Sequence, residues 1–141
     1  MLSRRKFAGV VGCFLCEVTR SGFMATGVSA QQPAATTGVT RKILSQVDGP
    51  MPGYVTIMVE VTIEANAVIG RHTHPGIEAG YVVDGELTLP IAGQPDKVLK
   101  SGDVFEVPPN TAHAGAPNGP RKSTIISTYV VEKDKPLATP A

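Results

Sequence analysis

The stretch YVTIMVEVTIE, residues 54–64, alternates without a break. Val55, Ile57, Val59, Val61 and Ile63 fall on one side of an extended chain, and Thr56, Glu60, Thr62 and Glu64 on the other. Successive side chains of a β-strand point to opposite faces, so this is the pattern of a strand with one face in a core and one in water. The β-branched residues that fill it suit a pleated surface. The chain on either side is therefore read for strands first.

Towards the N-terminal side, RKILSQVDG (residues 41–49) reads as an edge strand, closed by the turn residues DGPMPG (48–53). Towards the other side, AVIGRHTH (67–74) is a second strand. EAGYVV (78–83) and ELTLPIA (86–92) flank Asp84-Gly85, a pair that tolerates positive φ and so predicts a hairpin. KVLK (97–100), DVFEVP (103–108) and KSTIISTYVVE (122–132) continue the series, separated by the turn formers SGD and APNGP. No segment has helical periodicity and no internal repeat is visible. Many short strands between turns predict an all-β sandwich or barrel. QQPAATTGVT (31–40) reads as a flexible leader and KDKPLATPA (133–141) as a flexible tail, which leaves residues 41–132 for the folded domain.

The 141 residues suffice for one domain. A formal net charge of +1 is far from the basic excess of a nucleic-acid binder, so no nucleic-acid partner is expected. No run approaches the ~20 apolar residues of a membrane span. The start of the chain reads as an address rather than as fold. SRRKF (3–7) is charged, FAGVVGCFLC (7–16) is apolar, and VSA before QQ (28–32) has the small residues of a signal-peptidase site. Ser3, Arg4, Arg5 and Phe7 resemble a twin-arginine export signal, which implies a signal peptide over residues 1–30 and a periplasmic protein. VVGC (10–13) leaves lipoprotein processing at Cys13 open. Cleavage after Ala30 would remove Arg4, Arg5, Lys6, Arg20 and Glu17, turning the net charge to −2. It would also remove Cys13 and Cys16, so the mature chain would have neither a disulfide nor a cysteine nucleophile.

GRHTHPGIEAGYVVDG (70–85) carries the chemistry. His72 and His74 are one residue apart and share a side of a strand. Glu78 follows four residues later, with Pro75 and Gly76 able to bend the chain between them. Imidazoles and a carboxylate that converge are what a divalent transition metal binds. The third and last histidine, His113, sits in a Pro/Asn/Gly-rich loop.

His72-x-His74-x3-Glu78-x6-Gly85 resembles the first motif of the cupin superfamily, and Gly102-x5-Pro108-x-Asn110-x2-His113 its second. The resemblance covers roughly residues 54–132. It implies a double-stranded β-helix, a closed jelly-roll barrel, with a metal inside it. His72, His74 and Glu78 would come from one hairpin and His113 from another. Open coordination positions would suit Fe(II), Mn(II) or Ni(II), and Zn(II) also fits. Asn66 and Asn110 stand where the family pattern has glycine, and asparagine is the non-glycine residue that best tolerates left-handed backbone. The pattern's last asparagine is displaced to Asn118, with Pro117 in its place.

Cupins include dioxygenases, isomerases, decarboxylases, sugar binders and seed-storage proteins. The leading expectation is a metal-dependent enzyme acting on a small organic substrate, resembling quercetin-dioxygenase-like cupins. The alternative is a non-catalytic metal or small-ligand-binding module, which the lack of a spare histidine favours. No catalytic residue is identifiable, and Glu60 and Glu106 are candidate bases only by lying on strands. Alternation points Tyr81 away from the metal, as a core residue, and gives Arg71 and Thr73 outward parity. Gly80, Gly85 and Gly102 read as turn or close-packing positions. A homodimer is expected, with residues 41–47 crossing to the partner to cover an exposed edge.

Overall fold

A computed structural model describes residues 36–115 and 120–141. The export and cleavage readings, residues 31–35 of the leader, and the reading of Pro117 and Asn118 lie outside these residues, whereas Val39 and Thr40 at the leader's end belong to the first strand. The described chain is built of antiparallel strands: β1 (Val39–Asp48), β2 (Tyr54–Ile63), β3 (Ile69–Thr73), β4 (Gly76–Asp84), β5 (Glu86–Leu89), β6 (Lys97–Lys100), β7 (Val104–Val107), β8 (His113–Gly115), β9 (Ser123–Glu132) and β10 (Thr139–Pro140).

They form three sheets: β1-β2-β9-β4-β7, β10-β3-β8 and β5-β6. This corrects the expected closed double-stranded barrel. The large sheet ends at β1 and β7, the middle one at β10 and β8, and β5-β6 is a lone ribbon, so no sheet returns to its first strand. The physical reason is length. The strands of the smaller sheets have five residues or fewer, whereas β1, β2 and β9 have ten. Short strands cannot match long ones rung for rung, so packed side chains and single backbone bridges, such as that between Ile91 and His113, join the sheets where a ladder does not.

β2 does what its alternation predicts. Val55, Ile57, Val59, Val61 and Ile63 are all buried, on the inner face of the large sheet. β9 adds Ile125, Tyr129 and Val131 to that face, and β7 adds Phe105 and Val107. Leu87, Leu89, Ile91 and Leu99 from around the small ribbon close over them. Burying a side chain of this kind is worth roughly 1.5–3 kcal/mol, so this interlayer core is the main source of stability.

Two turns differ from expectation. Asp84-Gly85 does not make a hairpin. β4 already has β9 on one side and β7 on the other, so the chain leaves the sheet at Gly85 (φ 82°) and β5 pairs with β6. Nor do β3 and β4 form a hairpin, because they belong to different sheets and the chain crosses between them at His74-Pro75. Asn66 (φ 63°) and Asn110 (φ 55°) do hold the left-handed turns expected of them. Residues 133–141 pack into the molecule: Leu137 is in the core, and Thr139 and Pro140 pair with Thr73 and His72.

Candidate metal centre

Four side chains from three elements and one crossing meet between the sheets. His72 is the fourth residue of β3, and His113 opens β8 directly opposite it in register. His113 therefore lies at a strand end, not in a free loop. His74 stands one residue beyond β3, at the crossing. Glu78 has inward parity on β4 and is buried, flanked in register by Tyr129 of β9 and Val107 of β7. The imidazole centroids are 4.8 Å apart for His72–His74, 4.2 Å for His72–His113 and 5.1 Å for His74–His113. One ring nitrogen from each lies within 4.8 Å of the others.

The ring tautomers follow from the surroundings. His72 Nδ1 faces the Gly70 carbonyl at 2.7 Å, His113 Nδ1 faces the Thr111 carbonyl at 3.0 Å, and His74 Nδ1 faces the Leu137 carbonyl. A carbonyl oxygen only accepts, so each Nδ1 carries the proton and donates it. In the neutral ring this leaves the Nε2 lone pair free, the arrangement that backbone carbonyls impose on metal-binding histidines.

Glu78 completes the cluster. Ser127 Oγ donates to its Oε1 at 2.8 Å, while Oε2 lies 3.2 Å from Nε2 of both His74 and His113. Burial pushes the Glu78 carboxyl upward in pKa, but the His113 and His74 imidazoles outweigh it and hold the group well below the usual carboxylate range. Burial lowers the His72 pKa to about 4 against the pull of the Gly70 carbonyl. For His113 burial acts downward too, yet the hydrogen bond to Glu78, the Thr111 carbonyl and the Glu78 charge raise its pKa above 6.5. A buried carboxylate oxygen thus faces two imidazole nitrogens, and one of these, His74 Nε2, has no hydrogen-bond partner among the described residues. Acceptors that face one another need a cation between them. A proton meets that need at His113, and a divalent ion would meet it for the whole set. The donor set therefore fits a metal ion.

A cavity runs from the centre, with about 570 Å³ of empty space including its open mouth. The Cupin domain family model matches residues 59–129, half of the chain and all four residues of the cluster. The chain belongs to the cupin domain family. This cupin resembles KdgF from a Halomonas species, at 28% identity over 73% of this chain and 88% of that one, with a TM-score of 0.57. A cupin-like protein from Thermotoga maritima is 24% identical over 80% of this chain and 86% of that one, with a TM-score of 0.63. An RmlC-like cupin from Shewanella frigidimarina is 24% identical over 81% and 95%, with a TM-score of 0.58. At these last two identities the likeness is one of fold. No curated protein matches the sequence.

Sequence reasoning missed several lining residues of this cupin: Arg41, Ser127, Tyr129 and Leu137. Ser127 and Tyr129 share the parity of Ile125 and Val131 on β9, so alternation contained the information. The Tyr129 ring lies tilted against that of His74, with centroids 4.8 Å apart, and burial, with the charge of Glu78, pushes its phenol well above its usual pKa. The candidate bases are corrected. Glu60 and Glu106 sit at the outward parity of β2 and β7 and do not line the cavity. Tyr81 does point away from the centre, as alternation requires, but into solvent and not into the core.

Proposed function

We propose that this cupin is a metal-dependent enzyme, oxygenase-like, that acts on a small organic substrate with His72, His74, Glu78 and His113 as the ligands of one divalent ion: Fe(II), Mn(II), Ni(II) or Zn(II). The observation that carries the reading is the buried Nε2 of His74, which has no hydrogen-bond partner among the described residues and faces, with its neighbours, the Glu78 carboxylate. A bound ion would supply Lewis-acid polarisation of a substrate oxygen and, if iron, electrons for O₂ chemistry. The residues supply the rest. The Gly70, Leu137 and Thr111 carbonyls orient the rings, and Ser127 holds Glu78 in place. Tyr129 keeps its Oη proton at neutral pH, so it can offer a hydrogen bond to a substrate oxygen without ionising. Val59, Val61, Leu87, Leu89 and Ile125 make dry walls that strengthen each of these polar contacts.

The test is anaerobic loading with Fe(II) followed by nitric oxide as a stand-in for O₂. A paramagnetic iron–nitrosyl signal, absent in His74→Ala, is expected. A fully loaded protein without the signal would have a closed coordination shell, and a non-catalytic metal-binding module would replace the enzyme. One observation favours that second reading: among the described residues Glu78 is the only carboxylate lining the cavity, and it is committed to the cluster.

The proposal extends to location and assembly. Periplasmic export rests on the residues of the first segment, and replacing Arg4 and Arg5 with Lys is expected to trap the precursor inside the cell. A homodimer rests on β1, which is a sheet edge and exposes Ile43, Leu44 and Val47. Sedimentation equilibrium at micromolar concentration should give twice the chain mass.

A further inference from the structure

We propose that Arg41 is a carboxylate anchor, so that the cavity takes a small organic acid with an apolar body. The inference begins with parity. On β1, Val39 and Arg41 are half-buried while Thr40 and Lys42 are exposed, and Arg41 pairs in register with the buried Val61. The bulge between Ile43 and Ser45 comes later in the strand and leaves this parity intact. Arg41 thus faces inward and lines the same cavity as the histidines.

Its charge has no counterpart there. Among the described residues Arg41 makes no hydrogen bond or ion pair, and the only carboxylate in the lining is Glu78, held by Ser127 and the imidazoles. Glu60, the nearest acid on the neighbouring strand, is on the other face opposite Lys42. The rest of the lining is largely aliphatic and aromatic. A half-buried guanidinium beside an apolar wall has lost part of its hydration, and an anion arriving in the cavity restores it. Guanidinium is also the group whose planar fork binds a carboxylate through two parallel hydrogen bonds. A divalent ion at the histidines would add to the same field, because Glu78 offsets only one of its two charges. The ligand's apolar body would then lie along Val59, Val61 and Ile125, between the anchor and the imidazoles.

This deepens the function proposed above and rests on it for the end of the ligand that faces the histidines, so the experiment separates the two. Isothermal titration calorimetry of the full chain, metal-free and loaded with redox-inert Zn(II), would use 3-methyl-2-oxobutanoate and its uncharged amide as probes. The acid is expected to bind at least tenfold more tightly than the amide in both forms. Arg41→Met should erase that preference in the metal-free protein without changing amide affinity or zinc content. Arg41→Lys, which keeps the charge but not the fork, should fall between, and it serves as the reporter if Arg41→Met fails to fold. Equal affinity for acid and amide, no binding of either, or a preference that survives in both variants would overturn the anchor. A wild-type chain that takes up no Zn(II) but keeps an Arg41-dependent preference would overturn the metal centre and leave the anchor standing.

Discussion

His72 and His113 face each other across one register pair, yet the protein treats their protons oppositely. His72, with a pKa of about 4, is neutral throughout the physiological range, while His113 is held above 6.5 chiefly by Glu78. A metal ion needs both rings neutral. Below the raised pKa of His113, binding must therefore expel a proton from that ring, and affinity should drop about tenfold per pH unit. Well above it no proton is released. His72 competes only as the pH nears 4. Zinc titration against a chelator, with calorimetry in two buffers of different ionisation enthalpy, should find about one proton released well below the raised pKa of His113 and none well above it. His113→Ala should lose most of its metal, for want of a ligand.

At the scale of elements, β4 positions Glu78 by lying unusually close to its neighbours. A Cβ on Gly76 would sit 2.0 Å from the Val130 carbonyl oxygen, and one on Gly80 would sit 2.1 Å from the Phe105 ring. Backbone cannot step aside as a ring can. Gly76→Ala is expected to cost at least the about 1–3 kcal/mol typical of overpacking, and to lower metal content because β4 must part from β9 two residues before Glu78. Gly80→Ala should cost less, since Phe105 can turn into the cavity. Urea unfolding midpoints with metal analysis check both. Alternation made β2 legible in full, and it also carried the inward parity of Glu78, Ser127 and Tyr129. It says nothing of which strand lies beside which, and that is why Asp84-Gly85 reads as a hairpin and the sheets read as closed. Residues 133–141 have no period at all. Their place is set by one buried apolar residue, Leu137, by backbone pairing to β3 and by contacts of Lys133 with Asp48 and the Gly53 carbonyl, none of which leaves a mark in local sequence.

For the whole molecule, the centre sits where β3 and β8 of one sheet meet β4 of another, with no continuous ladder between them. A bound ion would therefore act as a cross-link between layers. At a free concentration a hundred times its dissociation constant it should stabilise the fold by about 2.7 kcal/mol. For a domain of this size each kcal/mol raises Tm by about 4–8 °C, so a rise of roughly 10–20 °C on zinc loading is expected by calorimetric scanning. His74→Ala should melt at the same temperature with or without zinc.

The Leu137 carbonyl receives the Nδ1 proton of His74 from 63 positions further along the chain. Anything that frays residues 133–141 would thus release an imidazole at the heart of the protein. A carboxypeptidase trimming back past Leu137 should inactivate zinc uptake before it unfolds the large sheet, and pre-bound zinc should slow the trimming. The practical corollary concerns handling. A purification tag fused after Ala141 would pull on this latch.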